Sequence, residues 1–544
     1  MKFSALAKAY ERVAAAAGEP ARRRILADLF RKADAPTLEA AAHFTAGELV
    51  APQSADELGI GPGTIGAVLS EMSGREAGEI DDEVRRTGDM SEVVAALVGR
   101  PRDTLTVAEL WRMVNRAVGR GEDRASLVRS VFGSTSPTGS KYFTRMALGQ
   151  MRMGVGTGTL ARAIAEAFGV DAASVDRLYA MTNDFGLVAA RASKGERALE
   201  RAGLSLFRPY QFMNAHKMDD PEEIFRRLAG KKIIFEVKYD GARLQIHIKK
   251  GRPSEIRFYS RRLNDDTAAM PDLVAALRKA WKGGDAVLEG EAVAFDPSLK
   301  VKQPFQAVLT RLGRVHGVEE KARETPFVLY LFEMVYHDGE DLMSLPQSER
   351  RARLAKLFRT TDRVKPTEAV VTDSPVEQAD FFRRAIAEGH EGLMAKDPDA
   401  PYTPGRRAEN WMKIKPAFET LDVVVTGGIW GSGRRRGLLS SLIVSVRDRD
   451  GLKTVGKVGT GFSEETLKAL TAQLEPKIIT ARGRDVELEP DVVIEVDFQD
   501  IQKTNRYGSG YALRIPRFKR VRADKSTREA DTLERLARLY KQTH

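Results

Sequence analysis

FEVKYDGARL, residues 235–244, closes an apolar-rich run, Ile233-Ile234-Phe235-Glu236-Val237, on a lysine, Lys238. Asp240, Gly241 and Arg243 follow within five residues. β-Branched and aromatic residues at this density predict a strand. Residues two apart in a strand share a face, so Glu236 and Lys238 point the same way. Charged residues paired on one face of an apolar strand are costly to bury unless partners or ligands meet them. By itself the pattern is equally a solvated lysine ahead of an Asp-Gly hairpin turn, so the surrounding chain has to decide.

That chain has 544 residues, too many for one core, and its length predicts three or four domains. Hydrophobic content of 42% is ordinary and charged content of 30% is high. The formal charge of +11 favours a polyanionic partner, with nucleic acid first among them. No apolar run approaches the roughly 20 residues of a membrane span. The opening Met1-Lys2-Phe3-Ser4-Ala5 leads into no long apolar stretch, so the expected location is the cytoplasm. The absence of cysteine excludes disulfides and thiolate metal sites. The histidines at 43, 216, 247, 316, 337, 390 and 544 are not spaced as a zinc or iron site. A metal here must be held by carboxylates, as a hard ion such as magnesium.

Residues 1 to about 205 carry helical periodicity: Phe3, Leu6, Tyr10 and Val13, then Ile25 and Leu29, then Val93, Val94 and Leu97. Gly/Pro turns at 59–63, 99–102 and 119–121 separate the helices. Gly154, Gly156 and Gly158 stand just before the amphipathic run Thr159–Phe168, and Gly59–Gly63 precede Thr64–Leu69 in the same way. A helix N-terminus of this kind presents free N–H groups and a positive dipole end to a phosphate. Two of them in one basic region predict contact with a nucleic-acid backbone without base reading. Near residue 206 the pattern changes to strands, at 233–237, 244–248, 256–259, 286–288 and 327–332, with helices at 222–228 and 272–281. From Leu421 short strands at 422–426, 438–446, 454–458 and 492–498 predict a small barrel, with Gly427-Gly428 and Gly431-Ser-Gly433 as turns. Ser526-Thr-Arg-Glu529 has the form of a capping box and predicts a final helix to about 542.

The middle region concentrates charge on strand faces. Glu289 and Glu291 share a face, as do Lys413 and Lys415. Lysines on one side and glutamates on the other suit a polyphosphate and its metal. In order along the chain, EVKYDGAR (236–243), YSRR (259–262), LEGEAV (288–293), YLFEMVYHDG (330–339), HEGLMAK (390–396), WMKIK (411–415) and LRIPRFKRVRADK (513–525) resemble the motif set of the ATP-dependent DNA ligases. These belong to the covalent nucleotidyltransferase superfamily. The resemblance covers nearly the whole chain.

The resemblance implies that Lys238 is the adenylated catalytic lysine. Glu236 is implied as acceptor for the adenine amino group, Arg243 and Arg261 as ribose and phosphate ligands, and Phe332 as the ring stacked on adenine. Glu291 is implied at the ribose or metal, Glu391 at the metal, and Lys413 and Lys415 at the α-phosphate. Arg514 and Lys519 are implied to orient the leaving pyrophosphate. LGQMRMGVGTGTLARAIAEAF (148–168) looks like part of a DNA-binding domain, with Arg145, Arg152, Gly154, Gly156 and Gly158 as its candidate DNA contacts. Three positions depart from the family pattern: Glu333 and Glu289 where aspartate is usual, and Arg262 where asparagine is frequent.

The implied cofactors are ATP and Mg2+. The implied partner is nicked duplex DNA, clamped by a monomer. Lysine is a weak nucleophile while protonated, and the nearby cations Arg243, Lys413 and Lys415 are expected to lower its pKa. Capping guanylyltransferases and RNA ligases share the lysine pattern, but their minimal members lack the long helical region. A scaffold with an inactive core is disfavoured by the intact acidic and basic set, and NAD as donor by the missing zinc-finger cysteines. The expected fold is multidomain α+β. An all-α N-terminal DNA-binding domain spans 1–205, a mixed α/β nucleotidyltransferase (adenylation) domain spans 206–418, and a C-terminal OB-fold β-barrel with a last helix spans 419–544.

Overall fold

A computed structural model describes the chain except for residues 51–57, 100–101, 121–122, 219, 297–300, 304, 417–419, 432–434, 436 and 544. It divides into two compact units, Met1–Lys415 and Pro416–His544. The expected junction at 418/419 falls on residues 417–419, outside the described residues, as do parts of the glycine turns at 99–102, 119–121 and 431–433.

In the first unit, the described residues up to about 205 form helices and one isolated bridge between Lys2 and Thr106. The periodic residues Phe3, Leu6, Tyr10 and Val13 of the first helix, Phe3–Ala15, are all fully buried. Helices Pro62–Ser73 and Thr157–Phe168 begin at Gly61 and Gly156, and neither has a side-chain cap. Their first-turn N–H groups are therefore left open, as the glycine pattern predicts.

Two sheets follow. One has five strands in the order Asn214–Met218, Arg407–Ile414, Gly392–Lys396, Ile233–Lys238, Ala369–Thr372. The other runs Glu255–Tyr259, Ala242–Lys249, Ala286–Asp296, Phe327–His337, Glu340–Asp341. Their facing sides meet in an apolar layer holding Val287 and Val335 from one sheet and Met394, Ala408 and Trp411 from the other. The expected strands are all present, several of them longer. No hairpin joins Lys238 to Arg243: the chain leaves one sheet at Lys238 and enters the other at Ala242. Gly241 makes this crossing possible, because a Cβ there would collide with the carbonyl of Ala292.

In the second unit Thr420–Trp430 pairs with both Leu439–Asp448 and Val493–Asp497. Leu439–Asp448 pairs on with Gly451–Val458, and Val493–Asp497 with Arg517–Val521. A parallel bridge between Thr460 and Arg517, with Phe518 N–H donating to the Thr460 carbonyl at 2.9 Å, closes the ring as expected of an OB-type barrel.

Two local expectations are corrected here. Gly427 and Gly428 are not a turn but the interior of the longest strand of this unit, at a bulge. A side chain at Gly427 would press on the Val486 carbonyl. The capping box of Ser526 and Glu529 is formed, but it closes a 3-10 turn, Thr527–Glu529. The last helix begins later, at Leu533, where Thr532 accepts from Arg535 N–H at 3.2 Å. Among the described residues no helix is long and apolar enough to cross a membrane.

One buried charge ties the helical region together. The His43 ring lies 2.8 Å from Glu48 and 3.2 Å from Asp184, and it stacks on Trp111 at 4.8 Å. Burial alone would lower the His43 pKa, but Asp184 and Glu48 outweigh it and raise it to about 9. A raised folded pKa gives stability that is complete below the unfolded value near 6.5 and is lost as pH rises through about 9. The expected loss is on the order of 3 kcal/mol. Thermal melts from pH 6 to 10 should show this decline, and His43→Gln should flatten it.

Candidate active site

Three adjacent strands of the five-stranded sheet bring the central charges to one edge. Ile233–Lys238 ends at Lys238, Gly392–Lys396 begins just after Glu391, and Arg407–Ile414 ends just before Lys415. Because the middle strand is antiparallel to both neighbours, these three ends coincide. Glu391 N–H donates to the Lys238 carbonyl at 3.0 Å. The Lys238 ammonium donates to one Glu391 oxygen and the Lys415 ammonium to the other. Gly392, at φ +139, lets the strands close this tightly, since a Cβ there would strike the Ile414 carbonyl.

Electrostatics follow from that packing. Burial alone would raise the Glu391 carboxyl, but Lys238 and Lys415 outweigh it and hold it below the usual range. Burial, then Lys415 and Lys238, push the Lys413 ammonium down. Burial also lowers Lys415, against the pull of Glu391. Glu291 faces Lys238, Arg243, Glu391 and Asp240, and its loss of water pushes the carboxyl up to about 7. The group in direct contact with Lys238 is thus a carboxylate, where the sequence led us to expect cations.

Beside this edge, Arg243 donates to Glu289 at 2.6 and 3.0 Å. The other Glu289 oxygen accepts from Tyr210 and Tyr402, so this fully buried carboxylate is completely engaged. The Arg243 guanidinium lies 4.7 Å from the Phe212 ring and 5.6 Å from the Phe332 ring. Arg243 and the exposed Arg261 line one cavity of about 200 Å³ with Phe212 and Asn214. Glu236 is buried, bound by Lys396 at 2.6 Å and by Arg351. Among the described residues no three histidines or carboxylates converge on a metal position. The two carboxylates Glu291 and Glu391 remain, which suits magnesium, an ion that keeps several waters and uses one or two protein carboxylates.

The structure therefore brings together Lys238, Glu236, Arg243, Arg261, Glu291, Phe332, Glu391, Lys413 and Lys415 within the first unit. Arg514 and Lys519 lie in the second, on strands Tyr511–Arg514 and Arg517–Val521, with Lys519 3.7 Å from Asp497. Among the candidate DNA contacts, Arg145 is corrected. Its side chain is 9% exposed and engaged by Ser91 at 3.0 Å, Glu92 at 3.0 Å and Asp89 at 3.4 Å. It holds helices together and does not present its charge outward. Arg152 is half exposed but paired with Asp89 at 2.8 Å. Gly154 carries a positive φ, and its carbonyl accepts from Arg22 at 3.1 Å. Gly156 caps the open helix end, and Gly158 lies in its first turn. Lys396, Arg351, Tyr210 and Tyr402 were not singled out from sequence. Only Lys396, the last residue of HEGLMAK (390–396), left a local signal.

The DNA ligase of Methanopyrus kandleri is 38% identical to this chain, covering 100% of it and 99% of the relative. The chain belongs to the ATP-dependent DNA ligase family. The DNA ligase of Thermococcus fumicolans is likewise 38% identical, covering 99% of this chain and 98% of its own. Family models for the DNA ligase N terminus, the ATP dependent DNA ligase domain and the ATP dependent DNA ligase C terminal region match residues 2–161, 212–415 and 435–525. A solved structure described as Pmar-Lig_Pre shares the fold, with a TM-score of 0.60 at 16% identity, covering 95% of this chain and 99% of its own.

Two departures of this ligase from the family pattern have clear physical settings. Glu289 reaches Arg243, as above. Glu333 forms a fully buried pair with Arg350, two bonds of 2.9 Å. Removing one partner of such a pair leaves an uncompensated charge. Arg350→Leu is expected to cost about 3–5 kcal/mol. Arg350→Leu combined with Glu333→Leu is expected to recover most of that, measured as the urea midpoint of the intact chain.

Proposed function

We propose that this ligase seals nicks in duplex DNA through an AMP carried on Lys238. The observation that carries the reading is the convergence of Lys238, Lys413, Lys415 and Glu391 at one sheet edge, with Glu291 of the other sheet facing them. An ammonium has no lone pair, so a proton must leave Lys238 before it attacks. Its ammonium donates to Glu391, and the proton passes from there to solvent. The Lys238 nitrogen then bonds to the α-phosphorus of ATP, the bond to the β-phosphate oxygen breaks, and pyrophosphate leaves. Next, an oxygen of the 5′-phosphate at a nick attacks the same phosphorus, and the phosphorus–nitrogen bond breaks, returning the lysine. Finally the 3′-hydroxyl attacks the 5′-phosphorus, loses its proton, and displaces AMP.

Such transfers need positioning and charge neutralisation more than acid–base work. Lys413 and Lys415 hold the α-phosphate, Arg243 and Arg261 the ribose and phosphates, Phe332 the adenine face, and Glu236 its amino group. Glu291 and Glu391 would hold Mg2+, which when bound would neutralise charge on the polyphosphate. Arg514 and Lys519 are the cations that would orient the leaving pyrophosphate. The open ends of helices Pro62–Ser73 and Thr157–Phe168 grip DNA phosphates, with the steep salt dependence of such contacts. The setting is a monomer clamping nicked DNA in the cytoplasm, at the nucleoid, in replication, repair or recombination.

With α-labelled ATP and magnesium, wild type should carry label through a denaturing gel, and Lys238→Ala should carry none. The same variant should still join a nick that is already adenylated, since the last step needs no lysine nucleophile. Label retained by Lys238→Ala would contradict the assignment.

A further inference from the structure

Glu236 is held by more than the base site requires. Lys396 lies 2.6 Å from its Oε2, and the Arg351 guanidinium donates to its Oε1. Glu236 and Lys396 are 2% and 1% exposed, so neither has water as an alternative partner. Lys396 also sits 4.2 Å from the Trp411 ring and 5.0 Å from the Phe332 ring, and donates to the Phe332 carbonyl at 3.4 Å. Glu236 and Phe332 therefore border one another around a single ammonium.

Arg351 belongs to a different element, the helix Gln347–Lys356. Its neighbour Arg350 is consumed by Glu333 and backbone carbonyls. Arg351 instead turns to Glu236 and, through its second nitrogen, to the Thr367 carbonyl at 3.2 Å. Thr367 precedes the edge strand Ala369–Thr372, which pairs Ala369 with Glu236. One side chain thus fixes both the carboxylate and the backbone beside it.

We propose that Arg351 is a positioning residue that sets the choice of nucleotide donor: with Lys396 it pins both oxygens of Glu236, keeping that carboxylate a hydrogen-bond acceptor in one fixed plane. This rests on the reading of Glu236 as the group facing the base. A carboxylate can only accept. Adenine presents an amino donor at its sixth ring position, and guanine a carbonyl acceptor. A pinned acceptor bonds the first and leaves two buried acceptors face to face with the second, which is how a polar site rejects a near-isostere. Without Arg351, Oε1 loses its cation. The carboxyl can then rotate about the Lys396 contact, and guanine becomes tolerable.

The test measures single-turnover formation of the protein–nucleotide adduct from α-labelled ATP and GTP in wild type, Arg351→Met, Arg351→Lys and Glu236→Gln, with thermal midpoints for each. Arg351→Met should lower the ATP-to-GTP ratio of rate over KM by about ten-fold or more. Arg351→Lys, which keeps a cation, should recover most of it. If Arg351→Met does not fold, Arg351→Gln gives the same readout. A fall in both rates with the ratio held within about two-fold, while Glu236→Gln does shift it, overturns the role of Arg351 and leaves the base contact standing. An unchanged ratio in Glu236→Gln as well overturns the base contact itself.

Discussion

The active site depends on one carboxylate shared between two lysines. Glu391 takes the Lys238 ammonium on one oxygen and the Lys415 ammonium on the other. Bringing three charged groups out of water is unfavourable unless they meet one another. Here they meet because three neighbouring strands end at the same edge, and the backbone bond from Glu391 to Lys238 sets the register. Two lysines beside a single glutamate leave an excess of positive charge, which suits an anionic phosphate. Glu291, with its carboxyl pushed up to about 7, stands opposite as a group whose ionisation a cation would favour.

The chain crossing between the two sheets and the tight pairing of these strand ends both demand small residues. Gly241 passes against the Ala292 backbone, and Gly392 against Ile414. Behind them, Tyr210, Tyr402 and Glu289 lock Arg243, while Arg350 holds Glu333, the strand neighbour of Phe332. Arg243, Glu289, Glu333 and Arg350 each have a named partner, so the phosphate-facing side chains beside them stand on a scaffold with little freedom to reorient.

Much of this was legible in the sequence. The strand holding Lys238 was plain from its β-branched run, and the shared face of Glu236 and Lys238 from simple alternation. The ordered motifs pointed to the ligase family. What the sequence could not show was pairing at long range. Arg351 is 115 residues from Glu236, and Lys238 is 153 from Glu391. Arg145 read as a DNA contact because it stands beside a glycine-rich helix start, yet Asp89, Ser91 and Glu92 claim it from a distant helix. Gly427-Gly428 read as a turn because glycine commonly marks one. In the barrel it instead allows close approach within a bulged strand.

The central claim is that, of the lysines around this site, Lys238 alone accepts AMP. Tandem mass spectrometry of protease digests, after incubation of the intact protein with ATP and magnesium, reads this directly. The account predicts an AMP adduct on the peptide containing Lys238 and on no peptide containing Lys396, Lys413 or Lys415. An adduct on any of those three, with Lys238 unmodified, would contradict it.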